Sequence, residues 1–477
     1  MGIHFVDAAV FVVYLIFMLG VGFYFLRRNK SKEDYFVGGR GMSAGHIGLS
    51  VVATDVGGGF SIGLGGLGFA MGLSGSWMLF TGLLGAWISA VFLIPKVYPI
   101  AKEHKFLTFP ESLKYHYNSR VGLVAGIISL IGYIGFTSSQ ILAGAKLASA
   151  TFPALSIQTA ALIMGVIAVV YTVIGGIKAV IYTDTIQWII LMVGLIGIGI
   201  PIGYMKIGGW EALQNNVPSE FLSLSNLSFT QFFNWAITIV PIWFVGMTLY
   251  QRIYACRDLK TAKKAWRVAG LFEWPIMAFM GVALGLFSRV AYDQGMFTDL
   301  GFAPGGGMDS ELGLPLLLSN ILPIGLMGLM MSAYFSAIMS TADSCLMAAS
   351  GNFNTDILAF FRKEKEGSHV RSSQIITFVI GVLAIFLATV MQSVLDLMLY
   401  SYAFMVSGLL IPVLGTLIYK KPSAKAAMVA MILGGGLTLF LIFLDKELPL
   451  GLDPNFYGIC LAALSFFILQ GREKAYA

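Results

Sequence analysis

Charge is scarce in this chain. Asp, Glu, Lys and Arg make up 11% of 477 residues while hydrophobic residues make up 57%, against about 25% and about 45–50% in soluble globular domains. So little charge cannot clothe a water-soluble surface, which excludes a soluble enzyme or binding module and leaves a polytopic membrane protein. Cysteine is scarcer still. Cys256, Cys345 and Cys460 fall in a basic loop and in two different spans, so no extracellular disulfide framework is expected. The five histidines, His4, His46, His104, His116 and His369, lie near span ends or in loops, which argues against an imidazole metal site inside the membrane. No long loop, linker or low-complexity stretch interrupts the chain, and residues 1–477 read as one transmembrane domain. No basic n-region precedes the first apolar run, so that run reads as a retained span and not a signal peptide.

What is abundant is apolar sequence in lengths of about 20 residues, enough to cross a bilayer as helix. Thirteen spans are predicted, at 3–26, 44–72, 76–101, 121–147, 155–175, 178–205, 229–255, 265–292, 322–352, 371–393, 395–419, 423–444 and 453–470. The 56 glycines suit close packing of such helices. Loop charge alternates: "CRDLKTAKKAWR" (256–267) is basic, whereas "DQGMFTDLGFAPGGGMDSE" (293–311) is acidic. The basic loops all fall on one side, which the positive-inside rule makes cytoplasmic, with the N-terminus outside and the C-terminus inside. The net charge of +6 is therefore an orientation signal, and no nucleic-acid partner is implied.

Ionisable groups inside spans are costly and mark function. Asp55, Asp184, Glu273, Asp343 and Lys146 are the candidates. Lys146 lies within a turn of the outer end of its span, where lysine is expected to snorkel. Glu273 precedes Trp274 and Pro275, and can serve the backbone freed by that proline. Asp55 sits in "VVATDVGGGFSIG" (51–63), where Gly57, Gly58 and Gly59 are expected to break the helix near the bilayer midplane. A break frees carbonyls on one side and amides on the other, suited to a cation and to an anionic or polar solute group. In "SAIMSTADSCLMAAS" (336–350), Ala337, Ser340, Thr341 and Ser344 recur at i, i+3, i+4 and i+7 on one helical face, with Asp343 at its edge. Hard oxygen ligands of this kind suit sodium.

These residues resemble the sodium/solute symporter family, whose members carry sugars, proline, choline, pantothenate and sialic acid. Four segments carry the resemblance: "ATDVGG" (53–58), "GGIKAVIYTDTIQ" (175–187), "QRIYACRDLKTAKKA" (251–265) and "SAIMSTADS" (336–344). The resemblance implies a core of two inverted five-helix repeats, here 44–205 and 229–419, with a broken first core helix, an extra N-terminal helix at 3–26 and C-terminal helices at 423–470. It also implies a sodium site made by the carbonyls of Ala53, Val56 and Ala337 and the hydroxyls of Ser340 and Thr341. A second sodium site, found in some members, would use Asp184, Ser340, Ser344 and position 343, where this chain has aspartate in place of serine. Asp184 has an alternative role as a gate or as the partner of a basic neighbour such as Arg252.

The solute is less legible. Gly57, Gly58, Asp55, Phe60 and Ser61 at the break, Ser138 and Gln140 in the fourth span, Trp243 and Phe244 in the seventh and Tyr402 in the eleventh are the candidate pocket residues. The functional expectation is a sodium-coupled symporter in the plasma (inner) membrane. It would import a small polar solute by alternating access: an amino acid such as proline, a quaternary amine, a small carboxylate or a sugar. The alternative is a proton-coupled transporter of the same fold, with Asp55 or Asp343 titrating. No nucleophile, base and orienting group occur together, so an enzyme is not expected; nor is an obligate protein partner.

Overall fold

A computed structural model describes residues 4–26, 32–152, 154–361 and 370–475; the side chains of Asp55, Val56, Phe60 and Ser61 are among those lying outside the described residues. Among the described residues the chain is helical, with no strand. Among the described residues eight helices are long and apolar enough to cross a membrane, or nine if Phe229–Val245 and Met247–Ala255, bent by 42°, form one span. The thirteen spans read from the sequence are not all of that kind. The second is divided at Gly57 into helices Ala44–Val56 and Gly58–Met71, each too short to cross alone.

Helices begin where the sequence supplies a cap. Asn118, Ser156, Ser228, Asp258 and Ser423 each accept a hydrogen bond from the amide three residues on, satisfying a donor that the helix itself leaves free. The cap at Ser156 opens Ile157–Gly194, a helix assigned without interruption across the boundary expected near 176. Its two limbs nevertheless fold against each other. The Tyr171 and Thr183 hydroxyls are 3.1 Å apart, whereas twelve residues of straight helix would separate them by about 18 Å. The outer flank of this hairpin exposes Leu162, Val166, Ile189 and Val193, a face suited to lipid.

The core divides into two repeats, each opening on an interrupted helix. In the first, the interruption is at Gly57; in the second it is at Gly246, between Phe229–Val245 and Met247–Ala255. The two interrupted helices run in opposite directions. The Met42 amide, at the start of one, donates to the Ala255 carbonyl, at the end of the other, over 3.0 Å. This inversion brings the third helix of each repeat, Ser119–Thr151 and Leu326–Gly351, into contact at the centre. Leu326–Gly351 is buried over nearly its whole length, so its many hydroxyls face protein and not lipid.

Candidate functional site

Gly57 leaves the helical conformation at φ 5° and ψ −164°. A Cβ there would lie 2.0 Å from Thr341 Oγ1, so only glycine lets the break approach the hydroxyl-bearing helix this closely. The Ala53 carbonyl, one turn before the break, receives the Thr341 hydroxyl at 2.9 Å and the Ser340 hydroxyl at 3.2 Å. Both hydroxyls also reach the Ala337 carbonyl, at 3.4 and 3.0 Å. Four of the five oxygens expected for the first sodium site thus converge from two helices, and Ser340 and Thr341 are buried. The fifth position, Val56, lies among the residues whose side chains are outside the description.

One turn further along the hydroxyl-bearing helix, two of the residues expected for the second site, Asp184 and Ser344, border a protein cation. The Arg252 guanidinium, fully buried, donates to Thr54 Oγ1 and Ser344 Oγ at 2.6 Å each, to Ser50 Oγ at 3.1 Å and to Asp184 Oδ2 at 3.3 Å. Ser50 also donates to Asp184 Oδ2, while Asp184 Oδ1 has no hydrogen-bond partner. Asp184 and Ser344 therefore do meet, but around Arg252. Asp343 does not join them. Its carboxylate turns to the Thr172 hydroxyl at 2.5 Å, because residue 343 lies at the edge of the face that carries Ser340 and Ser344.

The predicted pocket residues separate into two groups. Gly58 packs against Ile338, Ala143 and Gln140, which puts Gln140 beside the break. Ser138 spends its hydroxyl on the Ile134 carbonyl at 2.7 Å. Trp243 packs edge-on against Trp266 and faces Gly85. Phe244 is buried with its carbonyl receiving Tyr250, and Tyr402 stacks edge-on against Phe136. In this conformation Trp243, Phe244 and Tyr402 thus make helix-packing contacts. Asp55, Phe60 and Ser61 have their side chains outside the described residues.

Lys146 corrects the expectation that it snorkels. Its ammonium is buried and contacts Asp309 and Glu311 carboxylates at 2.6 Å each. Glu311 in turn receives the Val394 and Leu395 amides at 3.0 and 2.9 Å, at the N-terminal turn of Val394–Ile418, where a helix favours negative charge. Nothing local in the sequence announces this cluster, since its members are scattered over 146–395. Glu273 is buried and faces Gly82, in a π-helical turn just before Pro275. No group of three or more His, Cys, Asp or Glu suited to a transition metal occurs among the described residues.

Comparison with known proteins agrees with this architecture. The model of the sodium:solute symporter family matches residues 35–434, which span both repeats and both interrupted helices. The chain is 27% identical to the sodium/glucose cotransporter of Vibrio parahaemolyticus, over 96% of this chain and 89% of that one. It is 28% identical to the osmoregulated proline transporter OpuE of Bacillus subtilis, over 97% and 94%. In structure it resembles a Na+-coupled sialic acid symporter in a substrate-bound outward-open state, with TM-score 0.81, 21% identity and 98% of each chain covered. These relatives are transporters and not enzymes, their architecture is the inverted-repeat fold described above, and with the family model covering most of its length this chain belongs to the sodium:solute symporter family.

Proposed function

We propose that the protein is a sodium-coupled symporter that imports a small polar organic solute across the plasma (inner) membrane, with its N-terminus outside and its C-terminus in the cytoplasm. The observation that carries this reading is the convergence of Ala53 O, Ala337 O, Ser340 Oγ and Thr341 Oγ1 beside the Gly57 break. These are hard, neutral oxygens in a buried site, which suits a weakly charged alkali cation. Sodium held there bridges the broken helix to the hydroxyl-bearing helix and fixes the shape of the break. Solute then binds beside it, among the backbone amides that follow Gly57, and closure of the outer side with opening of the inner side releases both to the cytoplasm.

Each sodium entering the cell gains about 2.3 kcal/mol per 100 mV of membrane potential. Arg252 supplies the positive charge next to Asp184, so we propose one sodium per cycle, bound at the first site. The proton-coupled alternative finds no support among the relatives. Sugars and amino acids are the solute classes to screen first, because the glucose and proline carriers align over nearly the whole chain.

The test needs no known solute. A ion that binds only the folded protein raises its melting temperature by mass action. Purified protein should melt higher in sodium than in potassium at equal ionic strength, and Thr341→Ala should need about tenfold more sodium for the same gain, the scale of one lost ligand. Equal melting in both salts would overturn the sodium reading.

A further inference from the structure

The sodium oxygens lie against a cavity of about 10 Å³ lined by Ala53, Gly57, Gln187, Trp188, Ala337 and Ser340. That volume is on the scale of one water molecule. Three of its walls, Ala53, Ala337 and Ser340, are the proposed ion ligands; from the hairpin it is lined by Gln187, which supplies an acceptor, and by Trp188, whose buried indole Nε1 is a donor without a partner. Gln187 is buried, and its Oε1 has no hydrogen-bond partner. A buried amide oxygen left unpaired is costly, so its place in the wall of this cavity calls for a ligand.

The amide is not free to turn. Its Nε2 donates to the Tyr14 hydroxyl at 3.2 Å and to the Met18 sulfur at 3.8 Å. A thioether can only accept, which fixes the NH2 on that side and leaves the oxygen to the other. Tyr14 is itself held: the Ser336 hydroxyl donates to it at 2.6 Å, one residue before Ala337. The helix that bears Tyr14 is anchored to the hydroxyl-bearing helix a second time. Asp7 Oδ1 accepts the Gly325 and Gly328 amides at 2.7 Å each, at the positive end of Leu326–Gly351.

We propose that Gln187 is a further residue of the sodium site: its amide oxygen holds, through one water in this cavity, the hydration that the carbonyl and hydroxyl ligands leave incomplete. Tyr14 is a positioning residue that acts through Gln187. The N-terminal helix, outside the two repeats, thereby sets the oxygen that tunes the ion site. This inference rests on the sodium reading above.

The experiment is a sodium titration of melting temperature, at constant ionic strength with potassium, on the full-length parent and five variants. Gln187→Leu should raise the sodium concentration for half-maximal stabilisation about tenfold, the scale of one hydrogen bond to an ion's shell. Gln187→Glu, nearly isosteric, should lower it, since a carboxylate attracts the cation. Tyr14→Phe should raise it less than Gln187→Leu, and the double variant should match Gln187→Leu alone. Should Gln187→Leu give no cooperative melt, Gln187→Glu and Tyr14→Phe carry the test. Parental titrations in both of those variants, while Ser340→Ala shifts, would overturn the role of Gln187 and leave the sodium site standing. A parent indifferent to sodium would overturn both.

Discussion

Arg252 and Lys146 are both fully buried cations, yet their surroundings differ in kind. Arg252 rests on three hydroxyls, those of Ser50, Thr54 and Ser344, and on one carboxylate whose second oxygen has no partner. Lys146 sits between two carboxylates, one of them further anchored by backbone amides. The hydroxyls of the first cluster come from the two helices that carry the sodium oxygens, since Thr54 follows Ala53 and Ser344 lies one turn beyond Ser340, while Asp184 comes from Ile157–Gly194 and Arg252 from Met247–Ala255. The second joins the central helix Ser119–Thr151 to Ser310–Ile321 and to the start of Val394–Ile418, beyond the break. A cation held by hydroxyls and one unsaturated carboxylate can exchange partners as helices move. One held by two carboxylates fixes the elements it joins. On this contrast we propose Arg252 as part of the coupling machinery and Lys146 as a structural clamp.

The largest effect is expected at Arg252. Arg252→Leu leaves Asp184 as an uncompensated buried charge, which costs about 3–5 kcal/mol, enough to abolish a cooperative melt in detergent. Asp184→Asn placed in the same chain removes the orphaned charge and should restore much of the stability, while transport stays lost. Restored uptake in the double variant would break the assignment of Arg252 to coupling. Lys146→Met comes next. Glu311 keeps its two backbone amides when the ammonium is gone, so the cost should be about 2 kcal/mol, within the range of a hydrogen bond to a charged group. Its sodium titration should stay parental, because none of the Lys146 partners touches the ion site. A shifted titration would erase the distinction between clamp and coupling element.

The sequence made one of these regions far more legible than the other, for physical reasons. Ser340, Thr341 and Ser344 fall at helical spacing in one short stretch, and Gly57 to Gly59 can hardly be accommodated inside an unbroken span, so the hydroxyl face and the break were readable from local pattern, while the carbonyls of Ala53 and Ala337 were expected only through the family resemblance. The Lys146 cluster depends on residues 165 apart in the chain, and a lysine near a span end has the same local signature whether it snorkels or pairs. The same limit applies to Gln187. It stands inside the recognised "YTDTIQ" segment, but its role comes from Tyr14 and Met18, on a helix about 170 residues away. The repeats were expected from the family resemblance and from the break at Gly57 to Gly59, whereas the second interruption, at Gly246, has only a lone glycine in an apolar span to announce it. The solute pocket was not: Trp243 and Tyr402 have the size and polarity of pocket walls, and only packing against Trp266 and Phe136 shows how they are engaged.

The smallest effect, and the one that most sharpens the clamp, is at Asp309. It makes the same 2.6 Å contact to Lys146 as Glu311, but it is 41% exposed against 8% for Glu311. Water and salt screen a half-exposed carboxylate, so distance alone overstates what it contributes. Asp309 also accepts the Glu311 amide at 3.0 Å as the cap of Ser310–Ile321, a role that asparagine fills nearly as well. Asp309→Asn should therefore cost less than about 1 kcal/mol, and the loss should shrink as potassium chloride rises. Glu311→Gln should cost more and depend little on salt, because its oxygens are buried against Lys146 and the helix terminus. Measured as melting temperatures across a salt series, equal losses at the two positions would mean that Lys146 is held by a solvated pair of carboxylates, and that the clamp is no firmer than the cluster around Arg252.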